Sequence, residues 1–104
     1  MKRILVFALL LMTTSSFAQI HFGSNKNAGK YVQNRGFKMY YEVYGKGEPL
    51  LIIHGNGGSI SNFENQIPYF SKKYQVILAD SRAHGKSIDN ADSLTYEMMA
   101  DDLN

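Results

Sequence analysis

An α/β fold, with antiparallel strands toward the edge of a sheet and parallel strands within it, is predicted by three stretches of the sequence. Leu50 to Ile53 and Gln75 to Ala79 are short, predominantly apolar runs of the kind that strands covered on both faces require. The stretch of about twenty residues between them carries Phe63, Ile67 and Phe70 at three- and four-residue intervals. That spacing is the stripe of a short helix lying on a sheet, and the order is that of a strand-helix-strand crossover. Ahead of both runs, Phe37, Met39, Tyr41 and Val43 alternate with Lys38, Tyr40, Glu42 and Tyr44, the period of a strand buried on one face.

The first residues have a different logic. Lys2 and Arg3 precede an apolar run from Ile4 to Met12, and small and polar residues lead to Ser16-Phe17-Ala18. This is the layout of a secretory signal peptide, and small residues at Ser16 and Ala18 predict cleavage after Ala18 and a secreted or periplasmic protein. Nine apolar residues in a row fall far short of the roughly 20 that cross a bilayer, so no stable membrane anchor is expected. The chain then divides into a leader over 1–18, a flexible lead-in over 19–30 and a domain portion over 31–104. Lys and Arg together number eleven against nine Asp and Glu, and the excess is Lys2 and Arg3 of the leader. No basic patch remains to bind nucleic acid. An exported chain of 104 residues without cysteine takes its stability from a packed core or from another chain, not from disulfides.

Along the mature chain, Gln19 to Lys30 are mostly small and polar, with no apolar period. Tyr31-Val32 begins a short strand, and Asn34-Arg35-Gly36 has tight-turn chemistry because Asn and Gly tolerate positive φ. Gly45-Lys46-Gly47 turns the chain again before Pro49 and the first apolar strand. After the next glycines, Ser61 and Glu64 have capping-box spacing, and Pro68 is expected to kink the helix that follows. Beyond the polar loop from Asp80 to Asp92, residues 94–103 read as a second helix, with Thr95 as N-cap and Glu97 in the first turn.

The glycine-rich turn after the first apolar strand, His54-Gly55-Asn56-Gly57-Gly58-Ser59, admits three readings. Gly55-Asn56-Gly57 begins like a dinucleotide fingerprint, with Asp80 where a ribose-binding acid would stand. Ile60, however, occupies the place of the third glycine, and no Gly-Lys-Ser/Thr follows to make a Walker loop. A second reading is a plain strand-to-helix turn around a half-buried His54. The third is an oxyanion hole, in which backbone amides fixed by a tight loop meet the charge that develops on a carbonyl oxygen in acyl transfer. The stretch alone leaves the last two open.

Taken with the strand from Gln75 and the loop Asp80-Ser81-Arg82-Ala83-His84-Gly85-Lys86-Ser87, the turn resembles the N-terminal part of the α/β-hydrolase fold. Strand, His-Gly loop, helix, strand, Asp-x-Arg-x-x-Gly-x-Ser loop and helix stand in that family's order over roughly residues 31–104. Ala83 departs from the pattern, since the family usually has glycine there. The resemblance implies that the Asn56 amide points into the oxyanion hole, with His54, Gly55, Gly57 and Gly58 shaping its loop. It implies that Asp80, Arg82, Gly85 and Ser87 are structural, the carboxylate of Asp80 accepting backbone amides while Arg82 neutralises it. His84 is not expected to be the base, which in this family comes from a later loop.

An oxyanion hole serves a nucleophile, and the sequence contains no G-x-S-x-G. Ser59 and Ser61 follow Gly58 but lack elbow spacing. In the family the nucleophile, acid and histidine come after the next strand, in that order. The resemblance thus implies that all three would lie beyond Asn104, and no catalytic residue is expected among these 104. The expected molecule is therefore an incomplete α/β-hydrolase sheet, cut before the nucleophile elbow and inactive by itself. Its parent would be a secreted serine hydrolase acting on an ester or similar small substrate, without metal or cofactor. The alternative within the same fold is a halide- or epoxide-cleaving branch, and the resemblance implies that Asn56 after His-Gly suits the halide-cleaving one, where its side-chain amide would hold a leaving halide. A different class of function is a non-catalytic exported protein that binds a partner through an open sheet edge, and unpaired strands would also favour self-association.

Overall fold

The computed structural model describes residues 19–104; the predicted leader, Met1 to Ala18, lies outside the described residues. Strands β1 (Gly29–Asn34), β2 (Phe37–Tyr44), β3 (Glu48–Ile52) and β4 (Tyr74–Ala79) form one mixed sheet in the order β1-β2-β4-β3. Helix α1 (Gln66–Phe70) lies in the β3–β4 crossover behind a short 3-10 turn, Ile60–Phe63, and α2 (Tyr96–Asp102) follows the long loop after β4. β1, β2 and β4 pair antiparallel, whereas β3 runs parallel to β4 with Leu50 opposite Val76. In the β1–β2 hairpin Asn34 faces Phe37, and the two residues between them have φ of 42° at Arg35 and 88° at Gly36. Two successive positive φ values make the primed turn that matches strand twist. Arg35, rather than Asn34, carries the non-glycine share of it.

The apolar run Leu50 to Ile53 is left open, as an incomplete sheet implies: among the described residues β3 pairs with β4 alone, and Leu51 and Ile53 are 44% and 57% exposed. β4, flanked by β2 and β3, buries Val76 and Leu78. One expectation about burial is corrected: β2 is buried on both faces along part of its length, since Tyr40 and Glu42 are as enclosed as Phe37 and Met39. A carboxylate can be enclosed only if its lone pairs are met. Glu42 accepts from the hydroxyls of Tyr40 at 2.5 Å and Tyr44 at 2.6 Å, and from the amides of Gly23 at 2.9 Å and Asn25 at 3.3 Å.

Those contacts tie down the segment read from composition as a loose lead-in. Phe22 packs edge-on against Tyr44 with ring centroids 5.0 Å apart, and β1 starts at Gly29, two residues before the expected Tyr31. Gly29 is pressed against Tyr40, whose hydroxyl a Cβ there would overlap.

The core has two parts, one on each sheet face. Ile60 and Ile67 pack on Tyr40, Val76 and Leu78, with Phe63 and Phe70 at the margin. On the opposite face Phe37, Met39 and Ala79 form a smaller cluster that Leu103, just past α2, covers. The capping box does not form. Ser61 Oγ bonds Ser59 Oγ at 2.8 Å, and the start of the 3-10 turn is satisfied from another loop, by Asp80 Oδ1 accepting from the Ile60 amide at 2.9 Å. The chain breaks at Glu64-Asn65, so that Pro68 falls in the first turn of α1, where a missing N–H leaves no bond unmade. In α2, Thr95 Oγ1 accepts from the Met98 amide at 3.1 Å, as its sequence predicts. The helix is shorter than the expected 94–103: it spans Tyr96–Asp102, and the amides of Leu103 and Asn104 close its last turn on the carbonyls of Ala100 at 3.2 Å and Asp101 at 3.3 Å.

Candidate functional site

Because β3 and β4 are parallel and in register, with Ile52 opposite Leu78, the loops that leave their C-terminal ends emerge side by side. One carries His54 to Gly58 and the other Asp80 to Ser87. The first closes as a four-residue turn, the Gly58 amide donating to the Gly55 carbonyl at 2.9 Å with Gly57 at φ 79°. A positive φ at the third position is the pattern of a type II turn, and only glycine adopts it without strain.

Two histidines fasten this turn to the second loop. The Ser81 amide donates to His54 Nε2 at 2.9 Å, and His54 Nδ1 lies 2.8 Å from the Gly55 carbonyl. With Nε2 accepting, the proton of the neutral ring is on Nδ1 and is donated to Gly55. His84 repeats the arrangement from the other side: the Gly57 amide donates to its Nε2 at 2.9 Å, and its Nδ1 lies 2.8 Å from the Arg82 carbonyl. The two rings stand 5.1 Å apart. Both imidazoles therefore spend both nitrogens on the backbone, which leaves neither one poised to deprotonate a hydroxyl. Ser59 and Ser61 are bonded to each other. Among the described residues, up to Asn104, no serine stands against a histidine that could activate it. The nucleophile, acid and base that the resemblance implies beyond Asn104 have no counterpart in this geometry.

Of the turn amides, those of Gly57 and Gly58 are engaged. The Asn56 N–H donates to no group among the described residues. Asn56 lines a cavity of about 260 Å³ together with His54, Ser81 and His84, and Met99 and Leu103 supply its apolar wall. The Gly55 N–H, on the same turn and the same cavity, is also without a partner among the described residues, and a free backbone donor beside a small, largely apolar cavity can take a hydrogen-bond acceptor on an uncharged molecule, or the anion such an acceptor becomes.

The second loop is held by contacts that the sequence indicated only in part. Asp80 Oδ1 and Oδ2 accept from the amides of Ile60 and Lys86, each at 2.9 Å. Ser87, fully buried, donates to the Asp80 carbonyl at 2.6 Å and accepts from the Tyr40 amide at 2.8 Å, stitching the loop to β2. Gly85, at φ 49°, leaves room for the Asp80 carboxylate where a Cβ would overlap it.

Arg82 does not neutralise Asp80. Its guanidinium turns the other way and grips Asp102 in α2 through two bonds of 2.9 Å, reaches Asp89 at 3.3 Å and the Arg35 carbonyl at 3.2 Å, and lies over the Phe37 ring. The hydrogen bonds to Asp102 raise its pKa beyond the ordinary arginine value. Geometry explains the choice, since the planar fork matches a carboxylate approached edge-on, and Asp80 is already saturated by amides. Asp102 and Glu42 were not singled out from the sequence. Asp102 had one signal: a carboxylate in the last turn of a helix opposes the helix dipole and so needs a specific cation.

A family model described as alpha/beta hydrolase fold matches residues 48–104. The chain belongs to the α/β-hydrolase fold family. Among curated relatives it is 48% identical over 48 residues to an (E)-2-((N-methylformamido)methylene)succinate hydrolase from Acinetobacter baylyi, covering 46% of this chain and 18% of that protein. It is 36% identical over 61 residues to a 2-hydroxy-6-oxo-6-(2'-aminophenyl)hexa-2,4-dienoic acid hydrolase from Metapseudomonas resinovorans, covering 56% of this chain and 21% of that protein. The crystal structure of a meta-cleavage product hydrolase superposes with a TM-score of 0.63 at 30% identity, over 76% of this chain and 31% of that one. The chain spans about a fifth of the length of the curated relatives it matches.

Proposed function

We propose that this chain supplies the oxyanion-binding loop of a secreted serine hydrolase that acts on an ester or similar small substrate, the Asn56 amide being the donor. The observation that carries the reading is the Asn56 N–H, without a partner among the described residues on a turn whose two following amides, those of Gly57 and Gly58, are tied down. A donor held rigidly beside a cavity stabilises developing charge without reorganising when the charge appears. Family membership and the hydrolase names of its relatives support the reaction class. Export is proposed from the leader sequence, and N-terminal sequencing of the secreted protein should begin at Gln19; retention of Met1 to Ala18 would contradict it.

The 104 residues contain no G-x-S-x-G, and the two histidines beside the cavity are committed to backbone bonds. The reading therefore places the nucleophile, acid and base of the full-length protein beyond Asn104. It also makes the isolated chain inactive, because an oxyanion donor without an activated nucleophile stabilises a transition state that nothing reaches. Release of p-nitrophenol from p-nitrophenyl acetate by the isolated chain should equal that of a denatured control. Turnover abolished by Ser59→Ala or Ser61→Ala would place the nucleophile inside these residues and overturn that part of the reading. A second reading, partner binding through the sheet edge, is favoured by β3, which pairs with β4 alone among the described residues and carries the exposed Leu51. Hydrolysis by the full-length protein would decide against it.

A further inference from the structure

His84 contacts the oxyanion loop twice, and the two contacts want opposite things of its Nε2. The Gly57 N–H at 2.9 Å needs a lone pair there, and the Asn56 side-chain carbonyl oxygen, at 3.3 Å from the same nitrogen, needs a proton. A neutral ring whose other proton goes to the Arg82 carbonyl at 2.8 Å satisfies the first and not the second. A protonated ring satisfies the second and sets a donor against the Gly57 donor. Histidine is the side chain whose charge ordinarily changes near neutral pH.

We infer that His84 is a positioning residue of the oxyanion loop: unprotonated at Nε2 it holds the Gly57 amide, and protonated it releases that amide and donates to the Asn56 side chain. The inference rests on the oxyanion reading proposed above. Gly57 follows Asn56, so the peptide plane fixed by the His84 bond is the one next to the plane that carries the Asn56 N–H. Holding Gly57 fixes the turn that aims the free donor at the cavity. Letting go of Gly57 while pulling on the Asn56 side chain rotates that donor away.

The surroundings of His84 permit the change. His54, the titratable group beside it, has its ring centroid 5.1 Å away and is itself occupied by backbone groups. From the start of α2, Tyr96 lines the same cavity, while Glu97 lines a separate pocket that shares Asn56, Tyr96 and Met99 with it but not His84. On its own loop, Arg82 is turned into Asp102 and Asp89, Lys86 extends over the Tyr40 ring, and the Asp80 carboxylate accepts from two amides. No carboxylate or cation among these pairs with the His84 ring, so the exchange of partners within the loop is what its protonation does.

The test follows the Gly57 amide by NMR in the full-length protein, with selective glycine labelling and the signal assigned by its loss in Gly57→Ala. The amide proton should titrate together with the His84 ring nitrogens, losing its hydrogen-bonded shift as the ring is protonated and exchanging with solvent about fivefold or more faster, as expected for loss of one hydrogen bond. In His84→Gln, whose side-chain carbonyl can accept from Gly57 but cannot be protonated, the signal should stay put across the same pH range. At a pH where His84 is neutral, His84→Ala should lower kcat by about ten- to a hundredfold with KM little changed, the scale of a small misplacement at a reacting centre, and His84→Gln should restore most of it. A Gly57 amide indifferent to the His84 titration would overturn the inference. So would a His84→Gln protein that keeps the titration of the Gly57 amide. If Gly57 titrates as described while His84→Ala retains full kcat, the clamp stands and the oxyanion reading fails instead.

Discussion

Ala83 holds φ 62° in the loop after β4, a left-handed conformation that costs an L-residue roughly 1 to 2 kcal/mol relative to glycine. The resemblance had marked this position as the departure from a glycine pattern, and the backbone shows why the pattern exists. Ala83→Gly should therefore raise stability by up to about 1 kcal/mol, after the unfolded chain's gain in entropy is set against the relieved strain, in chemical denaturation of the full-length protein. Gly85→Ala should do the reverse and more, since a Cβ there meets the Asp80 carboxylate. Some residues were legible because their chemistry is local: Thr95 caps the helix it precedes, and Gly57 supplies the turn that its neighbours require. Ser61 misleads because Asp80, about twenty residues away, satisfies the 3-10 turn instead. A capping box competes with any acceptor that tertiary structure brings to the same amides.

At the level of elements, alternation located β2, apolar runs located β3 and β4, and capping chemistry located the second helix, but none of these could tell which strand would be inner. That depends on pairing order, and among the described residues the order β1-β2-β4-β3 leaves β3, the more apolar run by sequence, at an edge. The alternation in β2 hid a second buried face, because Glu42, Tyr40 and Tyr44 read as polar until they are seen to satisfy one another. Burial, and then the hydrogen bonds to Glu42, raise the pKa of both tyrosines above the ordinary value of 10.0. A raised folded-state value means that the unfolded chain releases its protons first. This contribution to stability is complete below pH 10 and should be lost as pH climbs from there toward the folded values. Alkaline unfolding followed by circular dichroism should show that loss, and Tyr44→Phe should flatten its slope. The attachment of α2 depends on a different pair. Asp102→Ala would leave the buried Arg82 guanidinium with only Asp89 and the Arg35 carbonyl, at a cost of about 3 to 5 kcal/mol, and α2 should be the first element to lose amide protection in hydrogen exchange.

Across the whole molecule, a sheet with Leu51 and Ile53 exposed at β3 and a small second core beneath α2 offers little burial to set against the entropy of ordering the chain. The isolated 104-residue chain should accordingly self-associate, eluting above its monomer size in gel filtration and unfolding without a sharp transition; a monomer with a steep, cooperative transition would contradict this expectation. The site was legible as a combination of two loops, since parallel strands bring their C-terminal ends together and both loops carry recognisable residues. The bonds that fasten them were not, because His54 and His84 act on backbone atoms, which carry no sequence signal. The central claim is that a backbone N–H, and not a side chain, does the work at Asn56, and the turn makes it separable. Asn56 occupies the second position of a turn with the type II pattern, where proline is welcome, so Asn56→Pro deletes the donor while keeping the shape. Measured on the full-length protein with an activated ester, Asn56→Ala should leave kcat/KM within a few-fold of the parent, whereas Asn56→Pro should lower it by about 100- to 1,000-fold. Equal activity of the two variants, or loss of turnover on alanine substitution alone, would contradict it.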